Sequence, residues 1–73
     1  MAVQIVMNYS GDSRHCFSLD DAQALARAEK RFKELTGAGF TAAARNASGE
    51  ISKASSFDPM AEETLFFPRL VGG

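Results

Sequence analysis

The residues best suited to take part in chemistry are the last two of the sequence, Gly72 and Gly73, which follow an apolar and basic run. Glycine lacks a Cβ and adopts backbone conformations that other residues avoid, so a glycine pair can carry a carboxylate into a narrow channel. A carboxylate must be activated before it can be transferred to another group. The five residues from Arg69 to Gly73 span about 17 Å when extended. We therefore expect the carboxylate of Gly73 to project from the fold.

Other reactive side chains do not form a catalytic pattern. His15 and Cys16 are adjacent, and neighbours on a strand point to opposite faces, so they cannot act as base and nucleophile. Asp58, Glu62 and Glu63 are typical of a solvated turn rather than of an acid/base pair or a metal site. With a single cysteine, neither an intramolecular disulfide nor zinc-ligand spacing is possible. The sequence predicts no catalytic residue and no metal site.

Size and composition favour a small globular protein. Seventy-three residues suffice for one domain, which we expect to span 1–73 with a flexible tail at 69–73. The net charge of −1 lacks the basic excess of a nucleic-acid binder. No run of 18 apolar residues and no signal-like segment is present. We expect a cytoplasmic protein that binds no membrane and is monomeric when alone.

The first half of the chain predicts a hairpin followed by a helix. In residues 2–9, Val3, Ile5, Met7 and Tyr9 fall on one face, with Gln4 and Asn8 on the other, which is typical of a strand. A turn at 10–13 leads to a second strand on which His15 and Phe17 share a face. Asp20 is expected to cap a helix over about 20–36, with Gln23 three residues later. Apolar residues recur at helical spacing through this segment, at Ala22, Leu25, Ala28, Phe32 and Leu35.

The second half predicts three more strands. After a helix end at Gly37 and Gly39, residues 40–45 alternate weakly and residues 51–56 are polar, as at a sheet edge. Thr64 to Phe67 form the most apolar strand, which we expect to lie centrally beside the first. The order ββαβββ then predicts an α+β protein with one helix packed across a mixed sheet of four to five strands. This arrangement is the β-grasp, or ubiquitin roll.

The order of elements, the length and the terminal Gly72-Gly73 resemble ubiquitin-like proteins and the bacterial sulfur carriers. The stretch from Glu63 to Gly73 is similar to the ending of the molybdopterin synthase small subunit, with an acidic turn, a strand, a proline and two glycines. Arg69 replaces a second proline of that ending. An arginine and a leucine shortly before two glycines also resemble the ubiquitin tail.

The resemblance implies a substrate or carrier protein rather than an enzyme. A partner enzyme would adenylate the Gly73 carboxylate with ATP, and the chain itself would bind no cofactor. Gly73 would then carry sulfur as a thiocarboxylate or be conjugated to an amine of an acceptor protein. A synthase large subunit is the other possible partner. Residues near the tail would contact these partners: Phe66, Pro68, Arg69, Leu70 and Val71. The alternative is a β-grasp interaction module whose glycines carry no chemistry.

Overall fold

A computed structural model describes residues 1–8 and 10–68. It contains five strands and one helix in the order predicted from the sequence. Their bounds are β1 Ala2–Asn8, β2 Gly11–Phe17, α1 Ala22–Gly37, β3 Phe40–Arg45, β4 Ile51–Lys53 and β5 Glu63–Pro68. The α+β class and a helix packed on a mixed five-stranded sheet are therefore confirmed.

The helix begins one residue later than predicted. Asp21, not Asp20, is the N-cap, because the Asp21 carboxylate accepts hydrogen bonds of 3.1 Å from the backbone N–H groups of Gln23 and Ala24. At the other end, Gly37 still belongs to the helix. The chain leaves the helix through Gly39, whose φ of +100° is a conformation that favours glycine.

The sheet places the two most apolar strands at its centre. Its strand order is β2-β1-β5-β3-β4, with β1 and β5 parallel and each of the other neighbouring pairs antiparallel. This confirms the prediction that the final strand lies centrally and beside the first. β4 lies at an edge, as predicted, but it is only three residues long and exposed throughout.

One face of the sheet is covered by α1. Phe66 is 0% exposed, and its ring packs edge-on against Phe32 of the helix, with the ring centroids 5.6 Å apart. Val6 and Ala42 complete this cluster, and Phe57 packs against the other side of Phe32 at 6.1 Å. A second cluster joins Ala2, Phe17 and Ala28. The core therefore lies between the helix and the sheet, where aromatic edge-to-face contacts add to the burial of apolar area.

The register of β1 decides which of its side chains faces the helix. Ala2, Gln4 and Val6 lie on the helix side, because Gln4 contacts the helix backbone and Val6 belongs to the Phe32 cluster. Val3, Ile5 and Met7, the more apolar set, therefore lie on the opposite face of the sheet. The predicted alternation is present, and the larger apolar side chains point away from the helix.

Candidate functional site

The two phenylalanines of β5 lie in different environments. Phe66 pairs with Val6 and Ala42 on the helix side and is fully buried. Phe67 points to the other side of the sheet and is 37% exposed. The prediction that Phe66 contacts a partner is therefore wrong, since its side chain lies inside the core. Phe67 is the aromatic residue that a partner could reach.

The described part of β5 ends at Pro68, which is half-buried and pairs with Phe40 of β3. Proline has no backbone N–H to donate to a sheet, so it suits the last position of a strand. The other residues predicted to contact partners or to carry chemistry lie outside the described residues. They are Arg69, Leu70, Val71, Gly72 and Gly73.

An apolar surface lies on the sheet face away from the helix. We call it the open face and define it by Val3, Ile5, Met7, Leu65 and Phe67. Ile5 pairs with Leu65 across the parallel strands, so the side chains of β1 and β5 meet at the centre of this surface. Phe67 is 37% exposed and Val3, Met7 and Leu65 are partly exposed, whereas Ile5 at the centre is only 7% exposed. Partly exposed apolar side chains on one sheet face make this face a candidate protein-binding surface.

Charged side chains lie beside this surface. The Arg45 guanidinium lies 3.9 Å from the Glu62 carboxylate and 3.6 Å from that of Glu63. All three side chains are at least a quarter exposed, so the solvent screens these ion pairs and they contribute little stability. They give the open face a charged border at the start of β5.

Of the three acidic residues predicted to lie in a turn, Asp58 begins one, whereas Glu63 is already the first residue of β5. The Asp58 carboxylate accepts a hydrogen bond of 2.9 Å from the backbone N–H of Met60, which fixes the loop before β5. Within residues 1–8 and 10–68, no group of three or more His, Cys, Asp and Glu side chains could hold a metal ion.

His15 and Cys16 lie on opposite faces of β2, so they do not meet. The register opposes His15 to Gln4 on the helix side and Cys16 to Val3 on the open face. Partial burial lowers the pKa of His15 below its ordinary value of 6.5, and the positive charge of Arg31 lowers it further. Cys16 is exposed.

A buried polar cluster centred on Gln4 was not predicted from the sequence. This side chain is 0% exposed, and its Nε2 donates a hydrogen bond of 3.0 Å to the main-chain oxygen of Ala28. Its Oε1 accepts a bond of 2.8 Å from Nη1 of Arg31. The amide is thereby satisfied at both ends, which fixes the position of α1 on β1. The only sequence signal was a glutamine between apolar strand residues, which equally fits a solvent-facing position.

The concave surfaces of the described chain are small. One cleft of about 400 Å³ lies between α1 and the loop before β5, and Leu25, Phe57 and Pro59 line it. Another, of about 240 Å³, lies among Met1, Leu19 and Met60. Neither brings together an acid, a base and a nucleophile, so these clefts provide no catalytic arrangement.

Comparisons with protein-family models, with curated proteins and with solved structures give no match for this chain. In the described residues, no helix is both long enough and apolar enough to cross a membrane.

Proposed function

We propose that this chain is a β-grasp protein of the ubiquitin-like type. The strand order β2-β1-β5-β3-β4 supports this, with the first and last strands parallel at the centre. So does helix α1, which packs on one face of the described sheet.

Its proposed role is that of a carrier or modifier whose Gly73 carboxylate is adenylated by an activating enzyme. The observation that carries this proposal is the course of β5. This central strand is held by β1 and β3 and ends at Pro68, five residues before Gly73. A tail attached to the rigid centre of a sheet would reach up to about 17 Å from it, while the domain stays outside the partner's pocket.

The chemistry would proceed in two steps. First, a carboxylate oxygen of Gly73 attacks the α-phosphorus of ATP and releases pyrophosphate, which leaves an acyl-adenylate. Next, a sulfide equivalent displaces AMP to give a thiocarboxylate. Alternatively, an enzyme thiol displaces AMP, and an amine of an acceptor then displaces that thiol to form an amide. In both routes the chain is a substrate, and ATP is used by the partner enzyme in the cytoplasm.

The partner-contact surface would join the open face to the tail. Phe67 and Pro68 lie at the end of β5, and Arg69, Leu70 and Val71 continue the chain toward Gly72-Gly73. An activating enzyme would bind Phe67 and its apolar neighbours on the open face. Arg69 would supply one positive charge close to the reactive end.

The test is an intact mass measurement on protein recovered from the organism that encodes it, expressed with an N-terminal affinity tag. We would use a Cys16→Ser background, because the exposed thiol of Cys16 would otherwise react with the alkylating probe. A thiocarboxylate adds the mass difference between sulfur and oxygen and reacts with iodoacetamide. An adenylate adds the mass of AMP, and conjugates appear as larger species that share the tag.

The matched control is the same protein without Gly73. Deletion of Gly73 should abolish each modification and leave the thermal midpoint unchanged, because the described core ends at Pro68. The carrier role would be refuted if the full-length protein stayed unmodified or if the shortened protein were modified equally.

A second candidate function is a β-grasp interaction module that carries no chemistry. The apolar open face favours it independently of the tail. In this case, partners captured by the tagged protein would depend on Phe67 and not on Gly72 or Gly73. Capture lost in Phe67→Ser and retained after deletion of both glycines would support the module. The opposite pattern would support the carrier.

A further inference from the structure

We propose that the outer edge of β2 pairs with β2 of a second copy of this chain, in an antiparallel register with Ser13 on the two-fold axis. The pairing would join two five-stranded sheets into one of ten strands. It does not depend on any chemistry at Gly73. The chain would remain a monomer at low protein concentration and would dimerise only at concentrations high enough for a small interface to form.

The hydrogen bonds of β1 set the direction of the backbone groups on β2. The N–H of Val3 donates to the main-chain oxygen of Glu62 at 3.0 Å, so Val3 directs its backbone groups toward β5. Because this direction alternates along a strand, Gln4 and Val6 direct theirs toward β2. Their partners on β2 are His15 and Ser13, which therefore use their backbone groups on β1.

It follows that Asp12, Arg14 and Cys16 direct their backbone N–H and C=O groups away from the sheet. β2 is a terminal strand, and none of these groups bonds to a described residue on the outer side. The strand is seven residues long, contains no proline and is largely exposed. Such an edge is a template for pairing with another strand.

Charge complementarity selects the register of the pairing. Asp12 and Arg14 are exposed, and neither forms an ion pair with another residue in the described part of the chain. With Ser13 on the axis, Asp12 of each copy lies opposite Arg14 of the other, on the same face of the joined sheet. Both pairs join opposite charges, which stabilises cross-strand neighbours.

Neighbouring registers are less favourable. An axis at Asp12 or at Arg14 would place two like charges directly opposite each other. If one β2 strand shifted by a single residue, residues with backbone groups directed outward would lie opposite residues with backbone groups directed toward β1. The hydrogen-bond ladder between the two β2 strands could then not form. With the axis at Ser13, two small side chains meet at the centre, and His15 lies opposite a residue without a side chain, Gly11.

The ladder would be short. Asp12 and Arg14 of both copies would exchange four backbone hydrogen bonds. The next pair joins Cys16 to Ser10, whose N–H already donates to the Asn8 side chain at 2.9 Å. Interfaces of this size are weak and reversible. The two-fold axis would also place the two Pro68 residues at opposite ends of the joined sheet, which leaves each tail accessible.

Amide hydrogen exchange gives the sharpest test, because the expected pattern alternates along β2. At micromolar concentration, Asp12 and Arg14 should exchange rapidly, whereas Ser13 and His15 should be protected by β1. At millimolar concentration only Asp12 and Arg14 should become slower. Sedimentation equilibrium over the same range should show a monomer–dimer equilibrium.

Charge reversal tests the register. Asp12→Arg and Arg14→Asp should each raise the dissociation constant about tenfold or more, because each places like charges opposite each other twice. The double variant restores opposite charges and should dimerise nearly as well as the parent chain. Thermal midpoints measured in parallel verify that the three variants fold.

Disulfide trapping tests the axis. Ser13→Cys in a Cys16→Ser background would place two thiols in a non-hydrogen-bonded pair with a Cα separation of about 4.5 Å, within disulfide range. The parent Cys16 residues would lie about 20 Å apart, at six residues of roughly 3.3 Å, and should not cross-link. The proposal would be overturned by a chain that stays monomeric throughout. A dimer unaffected by the charge reversals, or trapped more readily through Cys16 than at position 13, would also overturn it.

Discussion

Replacement of Phe66 by alanine is expected to remove a large part of the stability of this fold, and replacement of Phe67 is not. Phe66 is 0% exposed and stacks edge-on against Phe32 at 5.6 Å. Truncation of a fully buried phenylalanine to alanine typically costs about 3–5 kcal/mol, because apolar contacts are lost and a cavity remains. A chain of 73 residues has a total free energy of unfolding of about 4–11 kcal/mol. Phe66→Ala should therefore lose about a quarter of this free energy at the least and nearly all of it at the most.

Phe67→Ala is the matched control, since it removes the same atoms from the next residue of the same strand. Phe67 is 37% exposed and lies on the open face, so its truncation should cost about 1 kcal/mol. Urea unfolding followed by far-UV circular dichroism measures both free energies. Phe67→Ala should keep a cooperative transition at a slightly lower urea midpoint, whereas the midpoint of Phe66→Ala should fall several times further. Equal losses in the two variants, or a greater loss in Phe67→Ala, would refute the assignment of the two faces.

Three further perturbations test the helix and the polar cluster. Gln4→Ala should lower the free energy of unfolding by about 1–3 kcal/mol, because the helix and Arg31 lose their buried hydrogen-bond partner. Urea titration measures this loss. An unchanged free energy of unfolding would contradict the role of the Gln4 amide in fixing α1. Asp21→Ala should cost about 1 kcal/mol in the same assay, whereas Asp20→Ala should be nearly neutral; the reverse order would contradict the observed cap. The folded-state pKa of His15 is lowered, so the unfolded chain binds the proton more readily, and stability should fall as the pH drops below about 6.5. The loss of stability at low pH should be smaller in His15→Gln, when the thermal midpoints of both proteins are measured above and below about pH 6.5. Identical pH profiles of the two proteins would show that His15 does not cause this loss.

The sequence was sufficient to predict the elements of the fold, because each has a strong local signal. The helix shows apolar residues at a spacing of three and four, and β1 has an apolar residue at every second position from Val3 to Met7. The central position of β5 followed from its apolar composition. The β4 strand is polar and short, and only its position at an edge was predictable.

The details that could not be predicted depend on tertiary contacts. Asp20 and Asp21 are adjacent acidic residues, so composition could not decide which of them caps α1. Alternation shows that Gln4 and Val6 share a face, but the packing of α1 decides that this face is the core. The same ambiguity applies to Phe66 and Phe67, whose types are identical. The residues proposed to carry chemistry at the tail remain predictions of the sequence.

The parallel pairing of β1 with β5 has a consequence for the synthesis of this protein. The strands at the centre of the sheet are the first and the last, so Val3 has to meet Glu63 before the sheet can close. While the ribosome is still translating β5, the hairpin and the helix can form the cluster of Ala2, Phe17 and Ala28, but the cluster around Phe66 cannot form. Such distant pairing slows folding and leaves apolar strands exposed to aggregation until β5 is available to pair with β1. Premature stop codons before residue 63 should therefore yield products that chaperones and proteases handle as unfolded chains.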